Sequence, residues 1–127
     1  MDLRLDGNTA LVTASSSGLG FASAASLAAE GANVVICGRT PERLDEAEAA
    51  LAAEPGEVLA VEADVTDRDD VAALVEATVD EFGGLDHVVT SAGGVPPGTF
   101  DETTDDQWRG AFDTLVMSAV WTLREAR

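Results

Sequence analysis

Short apolar runs alternate with longer amphipathic stretches along the chain. The apolar runs at residues 10–12, 33–37, 57–63 and 85–91 are typical of buried β-strands. Between them, apolar residues recur every three or four positions, which is the spacing of a helix with one buried face. Strands that alternate with helices predict an α/β fold. We expect a doubly wound parallel sheet with helices on both faces, built from residues 1–127 as one domain.

Polar residues mark the starts of the predicted helices. Thr40 is a good N-cap for the second helix, and Thr66 with Asp69 predicts a capping box for the third. Thr104 with Gln107 predicts the same motif for the last helix. The third helix is expected to bury one apolar face, formed by Val71, Leu74, Val75, Val79 and Phe82.

The first strand breaks into small polar residues and glycines before the first helix begins. A strand that turns tightly into a helix leaves the helix's first N–H groups pointing at the strand's end, where they form an anion site. Gly18 and Gly20 let a pyrophosphate approach the backbone and let the helix pack close to the strand. We predict cofactor contacts here by Thr13, Ser15, Ser16, Ser17, Gly18, Leu19 and Gly20. The alternative is that the three serines only form the turn.

The charge balance is strongly acidic, with a net charge of −17 from 24 acidic residues, seven arginines and no lysine. One interpretation is an ordinary solvated acidic surface. The other is adaptation to high salt, which screens the repulsion between carboxylates, and the absence of lysine favours it. Nucleic acid and anionic membranes are excluded as favourable partners of such a surface.

Single residues and the start of the chain bear on the cellular location of the protein and on metal binding. Cys37 is the only cysteine, which excludes an internal disulfide and fits a reducing compartment. The first residues lack an apolar signal region, and no apolar run reaches membrane-spanning length. We therefore predict a cytoplasmic protein. His87 has no second histidine or cysteine nearby, so no metal site is predicted.

Three motifs taken together resemble the short-chain dehydrogenase/reductase family. Residues 13–20, Thr-Ala-Ser-Ser-Ser-Gly-Leu-Gly, resemble the family's Thr-Gly-x-x-x-Gly-x-Gly turn. A pair after the third strand resembles the family's adenine-contacting pair, and a triplet after the fourth resembles its Asn-Ala-Gly motif. The resemblance implies a Rossmann-type fold and further cofactor contacts by Asp64, Val65, Ser91, Ala92 and Gly93.

The sequence departs from the family pattern at several positions. Ala14 replaces the first glycine of the turn, Ser91 replaces asparagine, and Leu115 stands where the family has a catalytic asparagine. These departures resemble a β-ketoacyl-carrier-protein-reductase-like subgroup with imperfect motifs. In the family, a serine and a Tyr-x-x-x-Lys pair follow the region that this chain covers, and the chain has no tyrosine or lysine. It therefore resembles the N-terminal half of a longer family protein, or a natural truncation, and no catalytic residue is assigned within it.

The resemblance implies NAD(P)-linked interconversion of a small carbonyl compound and its alcohol. NAD-preferring sites carry an acidic residue near the end of the second strand, where this chain has Gly38 followed by Arg39. A guanidinium there can hold the 2′-phosphate of NADP, so we predict NADP over NAD, with NAD possible and Arg39 as the main determinant. The alternative is a non-catalytic dinucleotide-binding or interaction module, which Ala14 and Leu115 favour.

The last helix is apolar on two sides. Met117 and Trp121 lie off the stripe made by Leu115, Val116, Ala119 and Val120. Such a helix is typical of a protein core or of a subunit interface, and the family commonly pairs through this helix. We predict a homo-oligomer, joined through the Met117–Trp121 face, that also covers an open sheet edge.

Overall fold

Four parallel strands form one sheet. The computed structural model describes residues 2–127, so Met1 of the predicted domain lies outside it. The strands are β1 (Thr9–Val12), β2 (Asn33–Gly38), β3 (Val58–Glu62) and β4 (His87–Val89). Their order across the sheet is β3-β2-β1-β4, and all three neighbouring pairs are parallel. This arrangement confirms the prediction of a doubly wound parallel sheet, although β3 and β4 are shorter than the predicted runs.

Helices connect the strands and follow the last one. They are α1 (Gly18–Ala29), α2 (Pro41–Leu51), α3 (Arg68–Phe82), α4 (Asp105–Phe112) and α5 (Ser118–Ala126). A short 3₁₀ turn (Phe100–Glu102) precedes α4, and a π turn (Asp113–Met117) joins α4 to α5. The predicted last helix is therefore one element, residues 105–126, that is locally widened in its middle.

The core has two layers, one on each face of the sheet. Alternate residues of β1 and β2 face opposite sides, so each strand is apolar on both faces, as a central parallel strand requires. On one face α1 and α2 pack on the sheet, with buried Ala10, Val12, Val34, Ile36, Ala24, Ala28, Leu44, Ala47 and Leu51. On the other face α3 packs on Leu11, Val35 and Cys37, and Trp121 of α5 lies against the same layer.

Two helix starts agree with the sequence prediction and one does not. Thr40 is the N-cap of α2, and the capping box of α4 is present, with Thr104 N–H donating to Gln107 Oε1 at 2.7 Å. The predicted box at α3 is wrong, because its N-cap is Asp67, whose Oδ1 accepts the N–H of Asp69 at 2.9 Å. Thr66 instead bonds to a residue just after β3, because its hydroxyl donates to Asp64 Oδ1 at 2.6 Å.

The buried face of α3 also differs from the prediction at one position. Val79 is exposed, and Thr78 takes its place in the core with no exposed surface. The Thr78 hydroxyl donates to the Leu74 carbonyl oxygen at 2.8 Å, so its polar group is satisfied within the helix. A threonine can therefore occupy an apolar face that periodicity alone assigns to valine.

The last helix leaves Leu115 and Val116 of its apolar stripe exposed and packs Trp121 against the core. Trp121 packs on the α3 side of the core, and the Arg68 guanidinium lies 5.9 Å from the centre of its ring. Trp121 is therefore partly buried against the core, one of the two alternatives that the sequence left open for this side of the helix. The large apolar side chains exposed along residues 105–126 are Trp108, Phe112, Leu115, Val116 and Leu123. No helix within residues 2–127 has the length and apolar character needed to cross a membrane.

Candidate cofactor-binding site

A cleft of about 410 Å³ lies at the carboxyl ends of the strands. The chain leaves β1 towards β2 on one side and returns to β4 on the other, so the loops after β1 and β4 diverge and leave a crevice between them. All the predicted contact residues except Thr13 and Ser15 line this cleft: Ser16, Ser17, Gly18, Leu19, Gly20, Arg39, Asp64, Val65, Ser91, Ala92 and Gly93.

The turn from β1 into α1 forms the floor of the cleft. Its N-cap, Ser17, makes no side-chain capping bond to the first N–H groups of α1, so those donors face the cleft without a side-chain partner. A Cβ on Gly20 would lie well inside contact distance of the Ala14 carbonyl oxygen, so only glycine lets α1 start this close to the turn. The turn therefore brings bare backbone to the cleft surface, as a phosphate site requires.

Ala14, which stands at the position of the turn's first glycine in the family, adopts a conformation that favours glycine. Its φ of 48° lies in the left-handed region. An alanine in this region costs roughly 1–2 kcal/mol relative to an ordinary backbone conformation. The contacts of the surrounding turn compensate for that cost. The replacement at this position changes the cost of the turn but does not prevent the turn from forming.

Thr13 and Ser15 lie behind the cleft and join strand ends. The Thr13 hydroxyl donates to the Ser91 carbonyl oxygen at 2.7 Å and accepts the Ser91 N–H at 2.8 Å, which ties β1 to the end of β4. The Ser15 hydroxyl donates to the Val12 carbonyl oxygen at 2.6 Å and accepts the Cys37 N–H at 3.0 Å. Both side chains are buried, and both set the spacing of the strands around the cleft.

Asp64 stands at the end of β3 as a fixed carboxylate. Its Oδ1 accepts the Thr66 hydroxyl at 2.6 Å and the Thr66 N–H at 2.9 Å. The Thr66 hydroxyl bond, with a smaller contribution from the charge of Arg39, holds the pKa of Asp64 below its usual value of 3.8. The carboxylate is therefore ionised at neutral pH, and its second oxygen makes no hydrogen bond within residues 2–127.

The end of β2 has no acidic side chain and carries Arg39. A Cβ on Gly38 would lie 2.8 Å from Ser16 Oγ, so a larger residue here would have to displace the Ser16 side chain. Nη2 of Arg39 lies 3.9 Å from the position that a Cβ on Gly93 would occupy. The Arg39 guanidinium therefore extends across the cleft towards the loop after β4. The cleft therefore has a positive group on a wall that also carries the Asp64 carboxylate.

Sequence reasoning missed several lining residues. Ala14, Gly38, Thr40, Arg43, Thr66, Gly94 and Thr114 also line the cleft. Arg43 could have been found, because a long side chain one turn inside a helix points back towards the N-terminus. Thr66 could have been found as the residue two places after an aspartate in a turn. Thr114 comes from a distant element, and no local pattern indicates its place.

A second, apolar hollow of about 510 Å³ adjoins the cleft and shares Gly94 and Thr114 with it. Its walls include Val95, Trp108 and Leu115, and Leu115 is 51% exposed. The indole N–H of Trp108 donates to Thr103 Oγ1 at 3.0 Å, so this polar group is already satisfied. The hollow therefore offers mainly apolar surface beside the cleft.

Cys37 and His87, the other two residues considered from the sequence, do not line the cleft. Cys37 is buried, and burial raises the pKa of its thiol to about 11. His87 Nε2 lies 3.0 Å from Asn8 Nδ2 at the opposite end of the sheet. Among residues 2–127, no group of three or more histidine, cysteine or acidic side chains is placed to hold a metal ion.

Comparison with known proteins agrees with this architecture. A family model described as short chain dehydrogenase matches residues 8–127, which is nearly the whole chain. The chain belongs to the short-chain dehydrogenase family. This confirms the resemblance inferred from the turn, the Asp64–Val65 pair and the triplet after β4.

Relatives in the short-chain dehydrogenase family are similar over the same region. An uncharacterized oxidoreductase, YvrD, of Bacillus subtilis is 39% identical over 124 residues, which are 98% of this chain and 46% of that protein. Versicolorin reductase 1 of Dothistroma septosporum is 35% identical over 126 residues, which are 98% of this chain and 48% of that protein. The chain spans about half the length of the curated relatives it matches.

Solved structures show the same fold. L-sorbose reductase from Gluconobacter frateurii, complexed with NADPH and L-sorbose, matches with a TM-score of 0.93 and 38% identity, covering 99% of this chain and 48% of that one. A hydroxysteroid dehydrogenase from Escherichia coli matches with a TM-score of 0.92 and 26% identity, covering 98% and 53% of the two chains.

Proposed function

We propose that this chain is the cofactor-binding part of an NADP-linked oxidoreductase that interconverts a carbonyl compound and its alcohol. The observation that carries the proposal is the single cleft in which the glycine turn, Arg39 and Asp64 meet. Membership of the family and the NADPH in the complex of the similar L-sorbose reductase support it. The position of Gly20, where a Cβ would clash with the backbone of Ala14, fits a cradle shaped for a nucleotide.

The pyrophosphate is assigned to the turn between β1 and α1. There the residues Ser16 to Gly20 present backbone N–H groups and small side chains at the positive end of α1. Thr13 and Ser15, which lie behind the surface, are proposed to position these groups rather than to touch the ligand.

The adenosine is assigned to the β2 and β3 ends of the cleft. The free oxygen of Asp64 is suited to accept a hydrogen bond from the adenine amino group, and Val65 offers an apolar contact for the ring. Arg39 is suited to a 2′-phosphate, and the absence of an acidic side chain on Gly38 removes the repulsion that would favour NAD.

The nicotinamide end is assigned to Ser91, Ala92 and Gly93, with the apolar hollow beyond them for the substrate. When bound, the reduced cofactor supplies a hydride to a carbonyl carbon. The chain's own residues bind and orient the cofactor. General acid catalysis contributes about 10²–10⁴-fold in such reactions, and the chain has no tyrosine or lysine to supply it as the family does. We therefore expect this chain alone to bind nucleotide weakly without turnover.

The substrate is proposed to be a small carbonyl compound or alcohol. The imperfect motifs favour a 3-oxoacyl-carrier-protein-reductase-like enzyme within that range. The similar proteins include an L-sorbose reductase and a versicolorin reductase, so the family's chemistry extends to quite different carbon skeletons. The acidic composition supports function at high salt, and the buried free thiol of Cys37 supports a reducing compartment such as the cytoplasm.

A non-catalytic dinucleotide-binding or interaction module is the alternative. The observation that favours it is Leu115, which stands at the family's asparagine position and has an apolar, half-exposed side chain. Leucine cannot donate or accept a hydrogen bond there. Binding without turnover in any longer form of the protein would support this alternative.

We propose that the protein is a homo-oligomer joined through the exposed apolar face of residues 105–126. We call this surface the helix face; it consists of Trp108, Phe112, Leu115, Val116 and Leu123. Contiguous exposed apolar side chains of this kind mark protein interaction sites more often than ordinary surface. This surface differs from the predicted Met117–Trp121 face, of which Trp121 is partly buried against the core.

Titration of the chain with NADP and with NAD tests the cofactor assignment. We expect tighter binding of NADP, and we expect Arg39→Ala to weaken NADP by about tenfold or more, the effect of losing a charge-assisted contact. NAD should be nearly unaffected by the same change. Tighter binding of NAD, or unchanged NADP affinity in the variant, would contradict the assignment.

A further inference from the structure

Two arginines, not one, line the β2 side of the cleft. Arg39 follows β2 directly, and Arg43 lies in α2, four residues later. Since helical side chains point back towards the N-terminus of their helix, Arg43 extends over the first turn of α2 towards the strand end. Both arginines line the cleft together with Ser16, Gly38 and Thr40.

The two guanidinium groups have different surroundings. Arg39 reaches across the cleft to within 3.9 Å of the place of a Gly93 Cβ, and its charge acts on the Asp64 carboxylate. Within residues 2–127, the only ion pair is the exposed one between Arg109 and Asp106, so Arg43 has no carboxylate at ion-pair distance. Within the same residues, Arg39 likewise has no carboxylate at ion-pair distance, so both positive charges are available to an anion at this end of the cleft.

The charge of a 2′-phosphate is large enough for a second cation to strengthen its binding here. A phosphate monoester carries about −1.5 to −2 at pH 7, more than one guanidinium neutralises. The protein itself has a net charge of −17, so its long-range field opposes the approach of an anion. Glu42 and Glu46 lie close to Arg43 in the sequence of α2, but neither lines the cleft.

We propose that Arg43 is a second determinant of NADP specificity, holding the 2′-phosphate from the α2 side while Arg39 holds it from the β2 side. The inference rests on the proposed nucleotide function of the cleft. It assigns the 2′-phosphate to a pair of guanidinium groups. Arg39 also remains near the adenine, where a planar guanidinium can stack on the base.

Calorimetric titration with two nucleotide fragments separates the 2′-phosphate from the rest of the ligand. Adenosine 2′,5′-bisphosphate carries the 2′-phosphate and adenosine 5′-monophosphate does not, so the ratio of their affinities isolates its contribution. We expect Arg43→Gln to weaken the bisphosphate by about five- to tenfold and to leave the monophosphate within twofold, as the loss of one solvated charge-assisted contact requires. Arg43→Lys keeps the charge and should recover part of the loss.

Arg124→Gln is the matched control, since it removes one positive charge from an exposed position in the last turn of α5, outside the cleft lining. It should change neither affinity by more than twofold. An Arg43→Gln variant that weakens both fragments equally, or neither, overturns the role of Arg43 while nucleotide binding stands. If the unaltered chain binds neither fragment, the proposed function fails as well. Circular dichroism of each variant confirms that any loss is not a loss of fold.

Discussion

The cleft and the helix face differ in how far contacts within the chain satisfy their side chains. Around the cleft, buried hydroxyls pair with backbone groups of the neighbouring strand, as Thr13 does with Ser91 and Ser15 with Cys37. On the helix face, large apolar side chains such as Phe112 and Leu115 lie more than half exposed, at 54% and 51%. In the first region, the strand ends that frame the cleft are joined by contacts within the chain, while the groups that face the cleft remain available to a ligand. The second exposes apolar side chains, which we propose are covered by a second copy of the chain.

Replacement of one glycine in each region tests this contrast most strongly. Gly20→Ala places a Cβ against the Ala14 carbonyl oxygen and should destabilise the fold by roughly 1–3 kcal/mol, the usual cost of overpacking. Gly110→Ala meets open space in α4 and should stabilise by about 0.5–1 kcal/mol, because alanine favours a helix interior. Urea unfolding of both variants measures the difference. Equal effects of the two substitutions would mean that the cleft is not the tightly packed region.

Polar substitution on the helix face should weaken self-association. Sedimentation of the unaltered chain should show an oligomer, and the double variant Phe112→Gln with Leu115→Gln should dissociate at least about tenfold more readily, since burial of each such side chain contributes about 1.5–3 kcal/mol. The control is Val79→Gln, which removes an exposed apolar side chain from α3 instead. A monomeric parent chain, or the same loss in the control, would count against the helix face as the interface.

Comparison of sequence and structure shows where local patterns are sufficient. The glycine turn, the strand ends and their motifs could be predicted, because each is set by residues adjacent in the chain. The buried face of the last helix could not. A π turn at Asp113–Met117 adds a residue to one turn, so a 3.6-residue period extended across it does not keep the same side chains on one face.

Competition between local hydrogen bonds explains another difference. Thr66 and Asp67 are both good capping residues, and the sequence does not show that Asp64 engages Thr66 first. In the site itself, Thr114 was missed because it reaches the cleft from the π turn. Its position depends on how the last helix packs, which no local sequence pattern encodes.

Salt should stabilise the whole molecule, including both regions. The Debye length falls from about 10 Å at 0.1 M salt to about 3 Å at 1 M, so repulsion among the 24 acidic residues weakens. We expect the melting temperature to rise by several degrees between 0.1 and 1 M KCl. Dilution series at each salt concentration separate this rise from tighter assembly of the helix face. A melting temperature that is flat or falling across this range would reject adaptation to high salt.

The smallest expected effect concerns the pH dependence of the free energy of unfolding, to which Asp64 contributes. The pKa of Asp64 is lower in the folded protein than the usual 3.8, so its stabilising contribution is present above that value and is lost as the pH falls through the folded pKa. Asp64→Asn should therefore cost a little stability at pH 7, and the difference from the parent chain should vanish at pH well below 3.8. Urea midpoints at several pH values measure it. Asp86→Asn serves as the control carboxylate, away from the cleft, and a pH-independent difference for Asp64→Asn would contradict the assignment.

The Thr13 hydroxyl has a consequence for the rigidity of the crevice. Strand β4 is an edge strand of three residues, and its hydrogen-bond ladder with β1 would normally stop there. By accepting the Ser91 N–H and donating to the Ser91 carbonyl oxygen, one side chain continues that ladder for another rung beyond the strand. Together with the Thr13 N–H, which donates to the Val89 carbonyl oxygen at 3.0 Å, this hydroxyl joins the two sides of the crevice where they begin to diverge, before any nucleotide binds.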